Sequence, residues 1–317
     1  YMYDDWTQGY ASRPKGSDIH FSVPASDASL RNGDKVDCRK LNAWETCIYY
    51  CDKLAEEGYV LESDDSFNFS THNETSKENI FTIPMDKNLY TSQMQYLFRS
   101  RHYNHAKAYG LGGENGSCAT IEALRVFAYG TDSVDTRFYE NYYADTMFDL
   151  NGDTIRLDNG TPLVYLPLEV RLDLSRLPAE KTAGARMKKY EIDKMGTKDG
   201  KLSDNDIVLF RYADVLLMRS EAKVRNGENG DEELNAVRFR VGMLPREATL
   251  ENILAERQLE LAWEGWRRQD LVRFGKFTRP YTDSTQLPHE SNGYTTVFPI
   301  PDKVRSLNPN LIQNPGY

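Results

Sequence analysis

The last third of the chain contains a series of helical patterns in which apolar residues recur every three or four positions. Glycines and a proline separate them, and such short connections place neighbouring helices antiparallel. Paired amphipathic helices of this length are typical of tetratricopeptide-like repeats. We therefore expect a mostly α fold built on a tetratricopeptide-like helical scaffold, with predicted helices at Val208–Asn226, Glu232–Val241, Leu250–Trp263 and Gln269–Phe277.

The earlier part of the chain has a different character. Arg39–Glu57 has the pattern of one further amphipathic helix, with Gly58 placed to end it. The stretch that follows is polar and aromatic, with signals for a short strand at Ile80–Ile83 and for a hairpin at Asn151–Thr161. These differences predict a scaffold helix in residues 38–63, a loop-rich binding portion with short strands in residues 64–200, and a helical carboxy-terminal region in residues 201–317.

The charge balance excludes two classes of partner. Lys and Arg number 39 and Asp and Glu number 48, which gives a formal net charge of −9. An acidic chain has no overall cationic field to attract nucleic acid or anionic lipid. Nor does the sequence contain an apolar run of the roughly 18 residues that a membrane span requires. We expect neither nucleic-acid binding nor a membrane-spanning segment.

A mixture of tyrosine, histidine and arginine between Tyr90 and Tyr129 surrounds the glycine-rich stretch Gly110–Gly116. Sugars lay their C–H faces on aromatic rings while their hydroxyls meet polar side chains, so this composition fits a glycan-binding surface. The same aromatics would equally serve to fold a loop onto the core, and the sequence leaves both interpretations open. The candidate ligand-binding residues are Tyr96, Arg99, Arg101, His102, Tyr103 and Tyr109, together with Trp6 from the amino-terminal segment.

Glu260 and Glu264 form a pair of carboxylates with helical spacing. A glycoside hydrolase could use them as general acid and base. However, Arg257 and Arg267 each lie within one turn of a glutamate, and such neighbours keep carboxylates ionised. The spacing therefore favours ion pairs that hold the helices together, and we expect no catalytic residues.

Metal and cofactor signals are weak. His102 and His105 lack a third nearby ligand, and Asp149–Asp153 begins like a calcium loop but has Thr154 and Gly160 where the loop glycine and final glutamate belong. No dinucleotide fingerprint, Walker A motif or HExxH motif occurs. We expect no metal and no cofactor.

Several motifs in the last third resemble those of the SusD/RagB family. The coverage is strong over residues 188–317 and looser over residues 41–148. The motifs are Arg211-Tyr212-Ala213-Asp214 with Glu221-Ala222, Leu234-Asn235-Ala236-Val237-Arg238, Glu256-Arg257 with Glu260-Leu261 and Glu264-Gly265, Asp270-Leu271-Val272-Arg273, Phe298-Pro299-Ile300-Pro301, and Gln313-Asn314-Pro315-Gly316-Tyr317.

The resemblance implies an α-α superhelix and a non-enzymatic role. Proteins of this family are surface-exposed lipoproteins of the outer membrane that capture oligosaccharide or polysaccharide and pass it to a SusC-like TonB-dependent transporter. Family members begin with a lipidated cysteine and several helices, which are not visible before Trp44. We therefore expect a later part of a longer protein, whose membrane contact is a lipid anchor absent from this chain. The alternatives are the Glu260/Glu264 hydrolase and a helical-repeat adaptor that binds protein.

Overall fold

The computed structural model describes residues 15–25, 38–89, 100–171, 174–175, 177–198, 200–278 and 294–317. Its helices are α1 (Ala43–Glu56), α2 (Tyr103–Ala108), α3 (Ile121–Val126), α4 (Phe138–Asn141), α5 (Tyr212–Arg225), α6 (Asp231–Arg240), α7 (Leu250–Glu260), α8 (Arg267–Arg273) and α9 (Asp302–Leu307). Its strands are β1 (His20–Pro24), β2 (Cys38–Asn42), β3 (Asn79–Ile83), β4 (Tyr142–Tyr143), β5 (Asp145–Thr146), β6 (Val164–Tyr165), β7 (Arg186–Met187) and β8 (Ile207–Arg211).

The chain forms two compact units. Tyr1–Cys47 and Arg267–Tyr317 make up one, here the terminal unit, and Ile48–Trp266 makes up the other, here the central unit. In the described residues of the terminal unit, β1 and β2 pair antiparallel, and Gly16 lies so close to the indole of Trp44 that a side chain there would clash. No helix in the described ranges combines the length and the apolar character needed to cross a membrane.

The helical scaffold of the central unit is formed by α5, α6 and α7. Helix α5 packs against both others, and the shared core is made by apolar residues at helical spacing: Ala213, Leu217, Leu234, Val237 and Ile253. At the α5–α6 connection the Ser220 hydroxyl donates to the carbonyl of Gly230 at 2.8 Å. A Cβ atom on Gly230 would lie 2.7 Å from the Ser220 carbonyl oxygen, so the close approach of these helices depends on glycine.

Two predicted helix starts are wrong for the same reason. The predicted helix Val208–Asn226 begins instead at Tyr212, because Ile207–Arg211 forms β8 and pairs antiparallel with β3. The predicted helix Arg39–Glu57 begins at Ala43, because the preceding residues form β2. In both cases the partner strand is distant in sequence, so the local periodicity of the segment does not reveal the pairing.

The loop-rich portion has an aromatic core of its own. Phe127 and Phe138 are fully buried, and Tyr142 stacks on Phe138 with ring centroids 5.2 Å apart. Helix α3 begins after Thr120, whose hydroxyl accepts a hydrogen bond from the Ala123 amide. Part of the aromatic content between Tyr90 and Tyr129 therefore folds the loops onto the core, which is one of the two interpretations that the sequence left open.

The predicted hairpin region contains two tight turns. Gly152 and Gly160 adopt φ of +89° and +81°, which is the conformation that the Asn-Gly pairs predicted. The Asp149 carboxylate accepts hydrogen bonds from the amides of Asn151 and Asp153, at 2.8 and 2.9 Å. Asp149 thus stabilises its own turn, which accounts for the calcium-like start of this segment.

Candidate functional site

A cleft of about 740 Å³ opens in the central unit, within the size range of small-molecule sites. Three segments supply most of its lining: residues 64–70, which include a 3-10 helix at Asp65–Phe69, residues 140–143, and residues 188–194. Both aromatic rings and charged groups line it. The aromatic lining residues are Phe67, Phe69, Tyr109, Tyr143 and Tyr190.

The tyrosines of the cleft are fixed by contacts behind them. The Tyr109 hydroxyl donates to the carbonyl oxygen of Phe148 at 2.9 Å, and the Tyr190 hydroxyl accepts from the Val208 amide at 3.0 Å. The buried imidazole of His105 lies edge-on to the rings of Tyr109 and Tyr143, with centroids 4.9 and 4.7 Å away. Aromatic surfaces held in this way offer flat apolar faces at little entropic cost.

His105 is a neutral support for these rings. Burial, followed by the charges of Arg101 and His102, lowers the pKa of His105 to about 3. Its Nδ1 lies 3.0 Å from the hydroxyl of Tyr165, whose pKa is raised to about 12 mainly by burial. Both groups are therefore uncharged near neutral pH, and His105 positions the aromatic rings of Tyr109 and Tyr143.

The structure separates the predicted ligand residues. Tyr109 lines the cleft, and Arg101 lines a smaller neighbouring cavity. His102 is buried and caps α2, where its Nδ1 accepts from the Asn104 amide at 3.1 Å. Tyr103 is 57% exposed and, like His102, lies outside the described lining of both spaces. Trp6, Tyr96 and Arg99 lie outside the described residues.

Sequence reasoning missed several residues of the cleft. Phe67 stands in a polar stretch with no periodic pattern, and Tyr143 stands among other aromatics that are part of the core. Tyr190 follows Lys189 ahead of the first family motif and was not singled out as a ligand residue. The one sequence signal for these residues was an aromatic residue beside a charged one in a predicted loop. That pattern also occurs elsewhere in this chain, so it does not single out the cleft.

Beneath the cleft lies a buried ion network that joins its floor to the helical scaffold. Lys189 and Asp65 line the cleft, and both also belong to the network. The carboxylates outnumber the cations. The network consists of Asp65, Glu78, Asp135, Glu256, Glu260 and Glu264 with Arg137, Lys189, Arg211, Arg238 and Arg240.

Glu260 is the centre of this network. Its carboxylate lies 2.5 Å from Nη1 of Arg211 and 2.9 Å from Nη1 of Arg137, and it also contacts Arg240. Burial alone would raise the pKa of Glu260, but Arg240, Arg211 and Arg137 hold it well below its usual range. A carboxylate in this environment has no proton to donate as a general acid.

The partners of the two helix glutamates differ from those that the spacing predicted. Glu264 contacts Lys189 and Arg211 at 2.6 and 2.8 Å, and these cations hold its pKa low against the effect of burial. Arg257, placed by spacing beside Glu260, contacts Asp214 at 2.6 Å. The expectation of a structural ion network is met, but its charges are neutralised between distant segments rather than within one helix.

Three buried carboxylates approach one another closely enough to suggest a cation site. Oxygen atoms of Asp65, Glu78 and Glu260 lie within 4.8 Å of one another. However, Nη1 of Arg211 lies 2.7 Å from Glu78, and Nη2 of Arg240 lies 3.2 Å from Asp65. Guanidinium groups therefore occupy the positions at which a metal ion would neutralise these carboxylates.

The fold and site together define a helical scaffold protein with an aromatic-lined cleft in its loops. The model of the SusD family matches residues 170–317. The starch-binding protein SusD of Bacteroides thetaiotaomicron is 33% identical over 135 residues, which are 40% of this chain and 24% of that protein. The SusD-like protein P38 of Formosa agariphila is 32% identical over 135 residues, 37% of this chain and 25% of that protein. The resemblance to the SusD/RagB family is confirmed.

Solved structures agree with the sequence matches. Surface glycan-binding protein A from Bacteroides uniformis superposes with a TM-score of 0.63 at 19% identity, over 86% of this chain and 57% of that one. The Bacteroides thetaiotaomicron protein of the same name, in complex with laminarihexaose, gives 0.62 at 21% identity, over 86% and 60%. The mostly α, tetratricopeptide-like fold class is confirmed. The chain spans about a quarter of the length of the curated relatives it matches.

Proposed function

We propose that this chain is the glycan-binding part of a cell-surface capture protein. Oligosaccharide binds in the cleft of the loop-rich portion, residues 64–200, while the helical region holds that portion in place. The observation that carries the proposal is the 740 Å³ cleft with its fixed aromatic faces and surrounding charged groups. Relatives named for starch binding and surface glycan binding support the ligand class.

The proposal extends to location and partner. A surface-exposed lipoprotein of the outer membrane would collect the glycan and pass it to a SusC-like TonB-dependent transporter. Support comes from the family match over residues 170–317. Co-purification of the full-length protein with a large β-barrel transporter tests this part independently of glycan binding.

The ligand residues proposed from the structure are Tyr109, Tyr143 and Phe67, whose rings line the cleft. Arg101 belongs to the neighbouring cavity, and Tyr103 to the exposed rim of α2. Trp6, Tyr96, Arg99 and His102 remain predictions of the sequence. The hydrolase alternative would require Glu260 or Glu264 to hold a proton, and the low pKa of each carboxyl argues against it.

Affinity measurements with single variants test the site. We expect Tyr109→Ala and Tyr143→Ala each to weaken binding to the best glycan of a panel by about fivefold or more, because loss of one stacking ring costs about 1 kcal/mol. Tyr50→Ala is the matched control, since Tyr50 is 52% exposed on α1. Tyr103→Ala belongs to the same series. Unchanged affinity in both Tyr103→Ala and Tyr109→Ala refutes the assignment of the glycine-rich loop region to the ligand.

Product analysis separates the remaining classes of function. A glycan that stays intact after long incubation supports capture, whereas shortened oligosaccharides support the hydrolase. Binding of a β-barrel without affinity for any glycan supports the protein-binding adaptor.

A further inference from the structure

Arg101 differs from the other buried arginines of the central unit. Only 6% of its surface is exposed, and within the described parts of the chain it makes neither a hydrogen bond nor an ion pair. Among the residues that the structure describes, no group hydrogen-bonds to its fully buried Nε. Arg137, Arg211 and Arg257 are more deeply buried, and each contacts a carboxylate within 3 Å. Arg186, which is also buried, donates to backbone carbonyl oxygens.

The Arg101 guanidinium lies over an aromatic ring, since its central carbon is 5.2 Å from the centroid of Tyr143. A cation–π contact offsets only part of the cost of removing a charge from water. A buried cation is normally paired or solvated, and an unpaired one is among the most unfavourable arrangements in a protein interior. Among the described residues, no carboxylate supplies a counter-charge to Arg101.

Arg101 faces a cavity of suitable size for that counter-charge. The cavity has a volume of about 50 Å³ and is also lined by Lys188 and Ser203. One water needs about 10–15 Å³ on this measure, so the space accommodates a group of a few heavy atoms such as a carboxylate. The cavity shares Lys188, Tyr190 and Glu191 with the large cleft, so a ligand in the cleft could extend one substituent into it.

Lys188 provides a second donor at the boundary of the two spaces. Its ammonium donates to the carbonyl oxygen of Tyr139 and lies 5.8 Å from the Tyr143 ring centroid, on which Arg101 also stacks. An ammonium has three N–H donors, so donors beyond the one to Tyr139 are available to an anion. Arg101 and Lys188 thus present two cations around one aromatic ring of the cleft.

The acidic residues of the small cavity are already engaged. Glu191 accepts from the amide of Thr71 at 2.9 Å. Asp193 accepts from Lys87 at 3.3 Å and from the amides of Met195 and Asp204. Neither carboxylate is bonded to Arg101, although both reduce the positive potential of the cavity.

We propose that the small cavity is an anion subsite that receives the carboxylate of an acidic sugar residue whose ring lies in the cleft. A planar carboxylate matches the two parallel N–H donors of a guanidinium, which makes this the favoured anion for an arginine. The inference rests on the proposed function and narrows its ligand class from glycans in general to uronate-bearing glycans.

Paired ligands test the subsite. The protein's affinities for oligosaccharides of galacturonate, mannuronate and glucuronate are compared with its affinities for their methyl esters. Laminarihexaose serves as a neutral ligand and a sulfated oligosaccharide as the other anion. We expect at least one uronate to bind tenfold or more tightly than its ester, and the difference to shrink as salt is raised. In Arg101→Met the difference is lost. The control Arg171→Met removes the same charge from a side chain that is 66% exposed, and it should retain the difference between uronate and ester.

Thermal unfolding without ligand provides a second readout. Because Arg101 has no counter-charge in the described chain, we expect Arg101→Met to unfold at or above the wild-type temperature, and only the wild type to gain stability from a uronate ligand. A variant that unfolds several degrees lower shows that the arginine is paired within the fold, which overturns the subsite.

The outcomes separate this inference from the proposed function. Equal affinity for every uronate and its ester overturns the carboxylate subsite but leaves glycan binding intact. Preference for the sulfated ligand over all uronates also overturns it, because the anion is then a different one. Failure to bind any oligosaccharide overturns both.

Discussion

Replacing Glu260 by glutamine tests whether the buried ion network stabilises the fold. The substitution keeps the shape of the side chain but removes the charge that Arg137, Arg211 and Arg240 share. Removing one partner of a buried ion pair costs about 3–5 kcal/mol, because the remaining charges are left uncompensated. For a unit of this size each kcal/mol lowers Tm by about 2–4 °C, so we expect a decrease of about 6–20 °C.

The assay is thermal unfolding followed by circular dichroism, with Glu251→Gln as the matched control. Glu251 lies in the first turn of the same helix and is exposed, so its loss should cost less than about 1 kcal/mol. A Glu260→Gln variant whose Tm lies within about 2 °C of the control would refute the reasoning.

Acidification gives an independent check of the same residue. Burial opposes ionisation, but the arginines hold the folded-state pKa of Glu260 well below its usual range. A depressed carboxyl pKa stabilises the fold above the unfolded value of about 4.3 and loses that contribution as pH falls toward the folded value. The Tm difference between wild type and Glu260→Gln should therefore be largest near neutral pH and become smaller in acid.

Two further predictions concern the cleft floor and the scaffold. Burial and the charge of Glu260 raise the pKa of Asp65, so ionising Asp65 costs stability as pH rises through its folded value. The stability of Asp65→Asn relative to wild type should therefore increase from acid to neutral pH in urea unfolding, and an opposite trend would contradict this. Gly230→Ala should destabilise the protein by about 1–3 kcal/mol, because the new Cβ would lie 2.7 Å from the Ser220 carbonyl oxygen. Gly116→Ala, which has nothing within 4 Å of its Cβ position, should change stability by less than about 0.5 kcal/mol, and equal effects would refute the packing argument.

The network also explains why motif residues lie close to the cleft in this fold. Lys189 donates to the Glu260 carbonyl oxygen at 2.8 Å and pairs with Glu264. The same residue lines the cleft. Asp65, in another segment of the cleft lining, contacts Arg240. The scaffold charges thereby fix two segments of the cleft lining, so a substitution in α7 can be expected to alter the site as well as the stability.

The candidate site was only partly predictable from sequence. Tyr109 was predicted and lines the cleft, whereas Tyr143 and Phe67 were not singled out. Tyr103 is also a tyrosine and lies in the same predicted loop region as Tyr109, yet it is exposed on α2. Composition identifies residues that are able to bind sugar, but the direction in which each ring points depends on packing against residues such as His105.

Local periodicity and turn chemistry determined the helices α5 to α7, the caps and the Asn-Gly turns, because these depend on residues a few positions apart. The family motifs likewise stand in a contiguous third of the chain. Only the tertiary structure decided that Ile207–Arg211 is a strand and that Glu260 is neutralised by Arg137 and Arg211. It also decided that Arg101 is buried over Tyr143 with no carboxylate partner among the described residues. Each of these depends on segments that are remote in sequence and meet only when the chain is folded, and pairing over such distances leaves no periodic trace.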